Sequence, residues 1–592
     1  MAADGKLRQS QVITTYGPGA LIDLPHDAAI VGGLETWPNP SQLDEIVDPR
    51  LSSLLQNITE VPEPRLYAPP PQPEQPWLPR RGIGAWRFPE WFVVQEADDG
   101  DEQQRSRRLV HRRSLEKGRF ERRPVVPTRF VRACPRGHVD DLDWRGFVHG
   151  SEACVRQLWL DERGTTGDLA DLVVRCECGK SRRLYEATEF SQRPLGTCRG
   201  KRPWLGLDTE EQCDQPSRLL IRTATNAYFS QVVSVLSLPD RGSAVEQAVR
   251  GLWDDLQIVD SPADLAFIKK KPLVTDTLSL FSDDEVMRTV EQIKRGDPHQ
   301  RSVKEAELEA LLAAPEGYGE DVPVDPDFHA RRLPASAWQR AGSQLSSAVE
   351  GVVQIHRLRE VQALIGFTRF EAAVRDIHGE YDTDVERADI AVEPQWFPAV
   401  ENRGEGLFVQ LRSAAVSAWL DRPVVAERLA VLNGQHDAWQ KDRPRPRAFV
   451  GGPYVLLHTL AHLLIQSMAM RCGYPASSIR ERIYVEDRQY GLMLYTGTPD
   501  AEGTLGGLVA QARHFEDHLA HALEMGLLCS NDPICAQHVA SEDHDQRGLQ
   551  GAACHGCALI AEPSCEMRND YLDRALVVPV LGLPDAAFFP RP

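Results

Sequence analysis

Residues 529–574 read CSNDPICAQHVASEDHDQRGLQGAACHGCALIAEPSCEMRNDYLDR, and five of the chain's twelve cysteines fall there. They are Cys529, Cys535, Cys554, Cys557 and Cys565. Cys554 and Cys557 make a tight pair around His555 and Gly556. Four thiolates converging from two short, turn-rich segments suit a structural zinc site, closed rather than catalytic. Buried free thiols are the plainer alternative, since cysteine packs as a small hydrophobe; the clustering argues against it. The expected ligands are Cys535, Cys554, Cys557 and Cys565, with Cys529 as the rival for one position.

A second cysteine group lies upstream. Cys134-Pro-Arg-Gly-His138 is followed by His149, Cys154, Cys176-Glu-Cys178-Gly, Cys198 and Cys213. The Cys-Glu-Cys-Gly segment follows a strand-like LVVR, as a zinc-ribbon knuckle would. Six cysteines and two histidines can supply eight ligands for two tetrahedral ions. One ion with spare cysteines is equally economical, and the spacing does not pair the ligands. Asp140, Asp141 and Asp143 stand close enough in sequence to orient His138 by a hydrogen bond, or to be ordinary loop residues.

Bulk properties limit what surrounds these groups. A chain of 592 residues accommodates several domains, and 42% hydrophobic content is that of a folded protein. A formal charge of -19 argues against a general sheath of nucleic-acid contacts. No signal-peptide pattern and no run of eighteen uncharged apolar residues is evident, so a cytoplasmic protein with reduced cysteines is expected.

Against that acidic background, residues 105–132 carry eleven Arg or Lys and two Glu. Arg105, Arg107, Arg108, Arg112, Arg113, Lys117, Arg119, Arg122 and Arg123 are the candidates for tracking a phosphate backbone. Docking on an acidic partner face and simple solvation are the alternatives. Upstream, residues 61–89 are proline-rich and read as an extended arm. The Gly17-Pro18-Gly19 turn lacks the GK[ST] ending of a P-loop.

Between the cysteine groups, periodic apolar positions over 243–310 predict helices. The Pro, Gly and Asp of 313–335 mark a boundary, 396–411 a turn and strand, and 412–440 helix. In GGPYVLLHTLAHLLIQSMAM, His458 and His462 share a helix face. An HExxH protease signature requires Glu at 459, where the chain has Thr459, so core histidines are the simpler reading. Residues 482–509 predict strands closed by a glycine-rich loop. The organisation expected is mixed α+β, with an N-terminal region 1–130, a cysteine-rich module 131–218, a helical region 219–335, a mixed region 336–448 and a C-terminal domain 449–592.

Several stretches taken together resemble one family. They are RQSQVITTYGPGALIDLP, FVRACPRGHVDDLDW, VRCECGKSR, TATNAYFSQ, HTLAHLLI, LMLYTGTPDAEGTLGGLV and GAACHGCALIAEPSCEMRNDYLDRAL. Their order is that of the DrmB family of the DISARM anti-phage defence systems. The stretch from about 450 to 578 also resembles a cysteine-containing domain at the ends of some superfamily 2 helicases. The resemblance implies Zn2+ at the C-terminal cysteines and a partner, a DrmA-like superfamily 2 helicase that carries the ATPase motifs, with DNA met inside that complex. It implies no catalytic residue. A metal-dependent nuclease or hydrolase built on His458 and His462, and a scaffold that touches no DNA, are the competing readings.

Overall fold

The computed structural model describes residues 7–591 apart from 25–26, 60, 72–81, 96–103, 151, 164–167, 190–192, 239–240, 280, 296–301, 319–324, 341, 373–386, 442–446, 498–506 and 540–548. Much of the proline-rich arm, at 72–81, and the glycine-rich loop, at 498–506, lie outside the described residues. The chain forms two compact units. The first runs to Val235 and takes in stretches that begin at Val361 and end at Glu401; the second takes Leu236–Glu360 and the chain from Asn402 onward.

The first unit is chiefly antiparallel sheet. Seven strands lie in the order Ser181–Arg183, Leu172–Cys176, Leu158–Arg163, Gln104–His111, Trp91–Val94, Arg123–Pro127, Arg119–Phe120. Leu158 stands opposite Cys176 on one side and Leu109 on the other. Period-two alternation turns Leu109, Leu158, Leu160, Leu172 and Val174 inward onto Trp144 and Phe147 of the short helix Trp144–His149. A separate sheet pairs Phe130–Ala133 with both Val139–Asp141 and Arg218–Ile221. Its first hairpin turns at residues 134–138, so Cys134 and His138 stand at its two corners.

Arg369 fixes that corner. Its guanidinium is fully buried and donates Nε to Gly137 O at 2.8 Å and Nη2 to Gly19 O at 2.7 Å, with a third bond to Ala227 O. The Gly17-Pro18-Gly19 segment is therefore a structural turn. Gly19 sits at φ +84°, and a Cβ there would lie 2.2 Å from the Phe367 ring.

The second unit opens with helices spanning 241–295, which bury Val245, Val249, Leu256, Leu265, Val274, Leu278, Val286 and Val290 against one another. Ser261 and Ser302 cap Pro262–Ile268 and Val303–Leu312 by accepting the N–H of Asp264 and Glu305. Farther on, the hairpin of Ile479–Glu486 and Gln489–Thr496 pairs through Gln489–Thr496 with residues 406–411. The helix Gly452–Cys472 packs on this hairpin and on the helix Phe515–Leu527.

Sequence sets both ends of that helix: Pro453 stands in its first turn, and Gly473 closes it in the left-handed conformation. It is apolar nearly all round, the pattern of a core helix. Its length and hydropathy also meet the criterion for a membrane span, but 72% of that window is buried inside the protein.

Candidate metal centres

Four groups of Cys, His and Glu converge among the described residues, each bringing four donor atoms within 4.8 Å of one another. They use eleven of the twelve cysteines and leave out Cys472. A tetrahedron with Zn–S bonds of about 2.3 Å has edges of about 3.8 Å. Five of the sulfur pairs in the first three groups lie 3.4 to 4.0 Å apart.

The first group is Cys134, His138, Cys198 and Cys213. Cys134 and His138 are brought together by a turn in which Gly137 N donates to Cys134 O at 3.0 Å and Cys134 N to His138 O at 3.1 Å. Gly137 supplies the φ of +84°. His138 Nδ1 lies 3.3 Å from Cys134 Sγ, while Nε2 lies 2.7 Å from Glu211 Oε1. That carboxylate holds the proton on Nε2 and frees the Nδ1 lone pair for an ion. The sequence offered Asp140, Asp141 and Asp143 either for this task or as ordinary loop residues. Asp140 instead pairs with Arg132, Asp143 caps the following helix, and Glu211 arrives from 73 residues away.

The second group is His149, Cys154, Cys176 and Cys178. Cys176 ends a strand, and the chain reverses at once: Gly179, at φ +94°, donates to Cys176 O, and Cys178 N points at Cys176 Sγ at 3.5 Å. His149 gives Nδ1–H to Arg145 O at 2.9 Å and turns Nε2 to Cys178 Sγ at 3.3 Å. The eight donors of the upstream region thus divide into two groups of four.

The third group is Cys529, Cys535, Cys554 and Cys557. Here the sequence reading is corrected. Cys529 occupies the fourth position, with its Sγ 3.4 Å from that of Cys554, and Cys565 lies in a different group. Gly556 N and Asn531 N donate to the sulfurs of Cys554 and Cys529 two residues before them, at 3.3 and 3.4 Å. Arg574, fully buried, binds Asp532, whose carboxylate in turn receives Cys529 N at 3.1 Å. This places a guanidinium charge beside Cys535 and Cys557.

The fourth group joins His458 and His462 to Glu481 and Cys565, all four buried. The two histidines were read from the sequence as core residues; they are buried as expected, and they also face a carboxylate and a thiol.

Without an ion, protons divide unevenly among the sulfurs. A hydrogen bond from Cys134 pulls the Cys198 thiol down to about 4. A bond from Cys557 pulls Cys535 down to about 5, and the Lys180 N–H with His149 takes Cys178 to about 6. Cys134 and Cys557, the proton donors in such pairs, are pushed up. Thiolates at these distances repel, so a cation is what lets all of them ionise together. The donor sets, three Cys with one His twice and four Cys once, are those of structural zinc sites.

The basic segment splits in two. Arg107 pairs with Glu162 at 2.8 Å, and Arg112 with Asp27 at 3.1 Å and Glu90 at 3.4 Å. Arg108 pairs with Glu121 at 2.9 Å and stacks on Phe120. Arg105 pairs through its backbone with Glu162 in the sheet, and Arg123 begins a strand half-buried. Arg113, Lys117, Arg119 and Arg122 are exposed around the turns that follow.

Comparison with known proteins follows the same division. Residues 460–558 match the MrfA Zn-binding domain, and residues 8–229 match a domain of unknown function (DUF8724). The chain is thus a multidomain α+β zinc-binding protein. Over 483 residues it is 32% identical to the DISARM protein DrmB of Bacillus paralicheniformis, across 79% of this chain and 83% of that protein. The chain belongs to the DrmB family of DISARM proteins.

Proposed function

We propose that this chain is a non-catalytic, zinc-scaffolded accessory subunit of an anti-phage DISARM complex, paired with a superfamily 2 helicase and contributing to the handling of phage DNA. One observation supports the non-catalytic reading above the others. Each metal group offers four protein donors, so an ion held there has no open position for water or substrate. His458 and His462, on which a hydrolase would depend, are fully buried.

Family membership supports the helicase partner, and the exposed side chains of Arg113, Lys117, Arg119 and Arg122 support a basic surface for DNA. None of the twelve cysteines is disulfide-bonded, which suits a reducing cytoplasm. Co-expression with the neighbouring helicase tests the proposal. The two should co-purify, and the pair should bind DNA or hydrolyse ATP differently from the helicase alone. Nuclease activity of the lone chain, abolished by EDTA and by His458→Ala, would replace this reading with the hydrolase.

The reading as a scaffold without DNA contact has an observation in its favour: Arg107, Arg108 and Arg112 are neutralised within the unit by Glu162, Glu121, Asp27 and Glu90. DNA affinity of the complex unchanged by neutralising the four exposed residues would select it.

A further inference from the structure

We infer that His458, His462, Glu481 and Cys565 form a fourth zinc site, of mixed donors, in the core of the second unit. The match to the zinc-binding domain spans 460–558, and so contains the four-cysteine group but neither His458 nor Cys565. The four donors come from three elements. His458 and His462 are one turn apart on the helix Gly452–Cys472, Glu481 projects from the strand Ile479–Glu486, and Cys565 follows the short turn Glu562–Ser564.

Their reactive atoms converge on one point. His458 Nε2 lies 3.1 Å from Cys565 Sγ and 2.9 Å from Glu481 Oε1, and His462 Nε2 lies 3.3 Å from the same oxygen. Lone pairs and anions brought this close require positive charge between them.

Protons alone supply it poorly. His462 Nδ1 lies 2.8 Å from Ala558 O, the acceptor for its proton, and this leaves Nε2 facing the carboxylate. Making both rings cationic would place two imidazoliums 4.6 Å apart, with no exposed surface on either. A divalent cation removes the conflict. It takes Nε2 of both neutral rings, one Glu481 oxygen and the Cys565 thiolate, and two anions balance its charge. A buried site favours that neutrality, because unbalanced charge in a core is costly to desolvate.

The four-cysteine group, with two more negative charges than its ion, has Arg574 beside it; the site at Glu481 requires no such counter-charge. The surrounding bonds are those of a held ligand set. Asn569 N donates to Cys565 Sγ at 3.1 Å and Glu566 N to Glu481 Oε1 at 3.2 Å, while Glu481 Oε2 has no hydrogen-bond partner among the described residues. Two imidazoles, one carboxylate and one thiolate in a compact group select zinc over calcium or magnesium, which take oxygen. Bound there, zinc would clamp the core helix to the hairpin and to the C-terminal turn.

The test is zinc per chain, by elemental analysis of the full-length protein purified without chelator. Four ions are expected, and three or fewer would overturn the assignment. Cys565→Ser and His458→Gln should each lower the count by one while the folded chain keeps three. Folded variants that keep the wild-type count would overturn it as well. If either variant is insoluble, the wild-type count together with zinc-edge absorption decides, since only this site adds carboxylate oxygen to the sulfur and nitrogen of the other three.

Discussion

Cys529 Sγ lies 3.4 Å from Cys554 Sγ, although 25 residues separate them. The contact closes the four-cysteine group from its exposed side and assigns both cysteines of CSNDPIC to one ion. Cys529→Ser should therefore remove about one zinc per chain. It should also lower the melting temperature of the second unit, because the binding energy of a structural zinc is folding energy. An unchanged zinc content would return Cys565 to this group.

Glu211 acts on the first group through His138. The 2.7 Å contact to Nε2 sets which ring nitrogen faces the sulfurs. Loss of such a supporting carboxylate typically weakens metal affinity about 10- to 100-fold. Glu211→Ala should show that drop in a chelator competition at one ion per chain, and Glu211→Gln, which keeps an acceptor, a smaller one. Equal retention of all ions in Glu211→Ala would show that His138 needs no such support.

The sequence carried the metal chemistry further than it carried the pairing. Clustered cysteines were legible at 134–213 and at 529–565, because turn-forming knuckles need their ligands two to five residues apart. Cys565 misled because it lies eight residues from Cys557 in the chain, yet it meets His458 from 107 residues away. The HxxxH pair was visible on its helix, but the acid was sought at position 459, whereas the fold supplies it from a strand at Glu481. A conditional signal was present: two histidines one turn apart in an otherwise apolar helix must find a polar partner. Helical segments between 241 and 312 followed from periodicity; strands were expected within 482–509, but closed by the glycine-rich loop, whereas the hairpin turns at 487–488. The return of Val361 and its neighbours to the first unit did not, since local patterning carries no information on which distant segments join one core.

Arg369 is the clearest stability determinant in the first unit. It is a buried cation whose partners are three carbonyls, at Gly19, Gly137 and Ala227, with its guanidinium also over the Phe367 ring. Removing it strands those acceptors, at about 1–3 kcal/mol each. Arg369→Met should destabilise the first unit by on the order of 5 kcal/mol in urea unfolding. Arg369→Lys should recover only part of this, because one ammonium cannot span three turns. A loss under about 1 kcal/mol would mean that water replaces the guanidinium without strain.

Asp141 gives the first unit a pH dependence of known sign. Burial pushes its carboxyl up to about 7, against the N–H of Glu90, which it accepts at 3.0 Å. The unfolded chain releases that proton near pH 4, so between pH 4 and 7 the folded state holds the extra proton. The stabilisation is fully present below about pH 4, is lost progressively as pH rises from 4 towards 7, and is gone above 7. Asp141→Asn keeps the neutral form throughout. Relative to wild type, its urea midpoint should match below about pH 4, climb between pH 4 and 7, and stay higher at pH 8; a difference that stays constant across this range would contradict the assignment.

The exposed basic turns give the sharpest test of DNA contact. Arg113, Lys117, Arg119 and Arg122 are exposed, whereas Arg107 and Arg112 are held by Glu162, Asp27 and Glu90. Each phosphate neutralised adds about 0.9 to the slope of log affinity against log salt. Replacing the four exposed residues by Gln in the helicase complex should weaken DNA binding and flatten that slope by up to about 3–4 units. Arg107→Gln removes a strand-to-strand ion pair instead, so it should lower the stability of the seven-stranded sheet and leave the salt slope where it was. Fluorescence anisotropy across a salt series separates the two outcomes. If the fourfold variant keeps the wild-type slope, the basic turns meet protein or solvent, and the DNA path lies elsewhere in the complex.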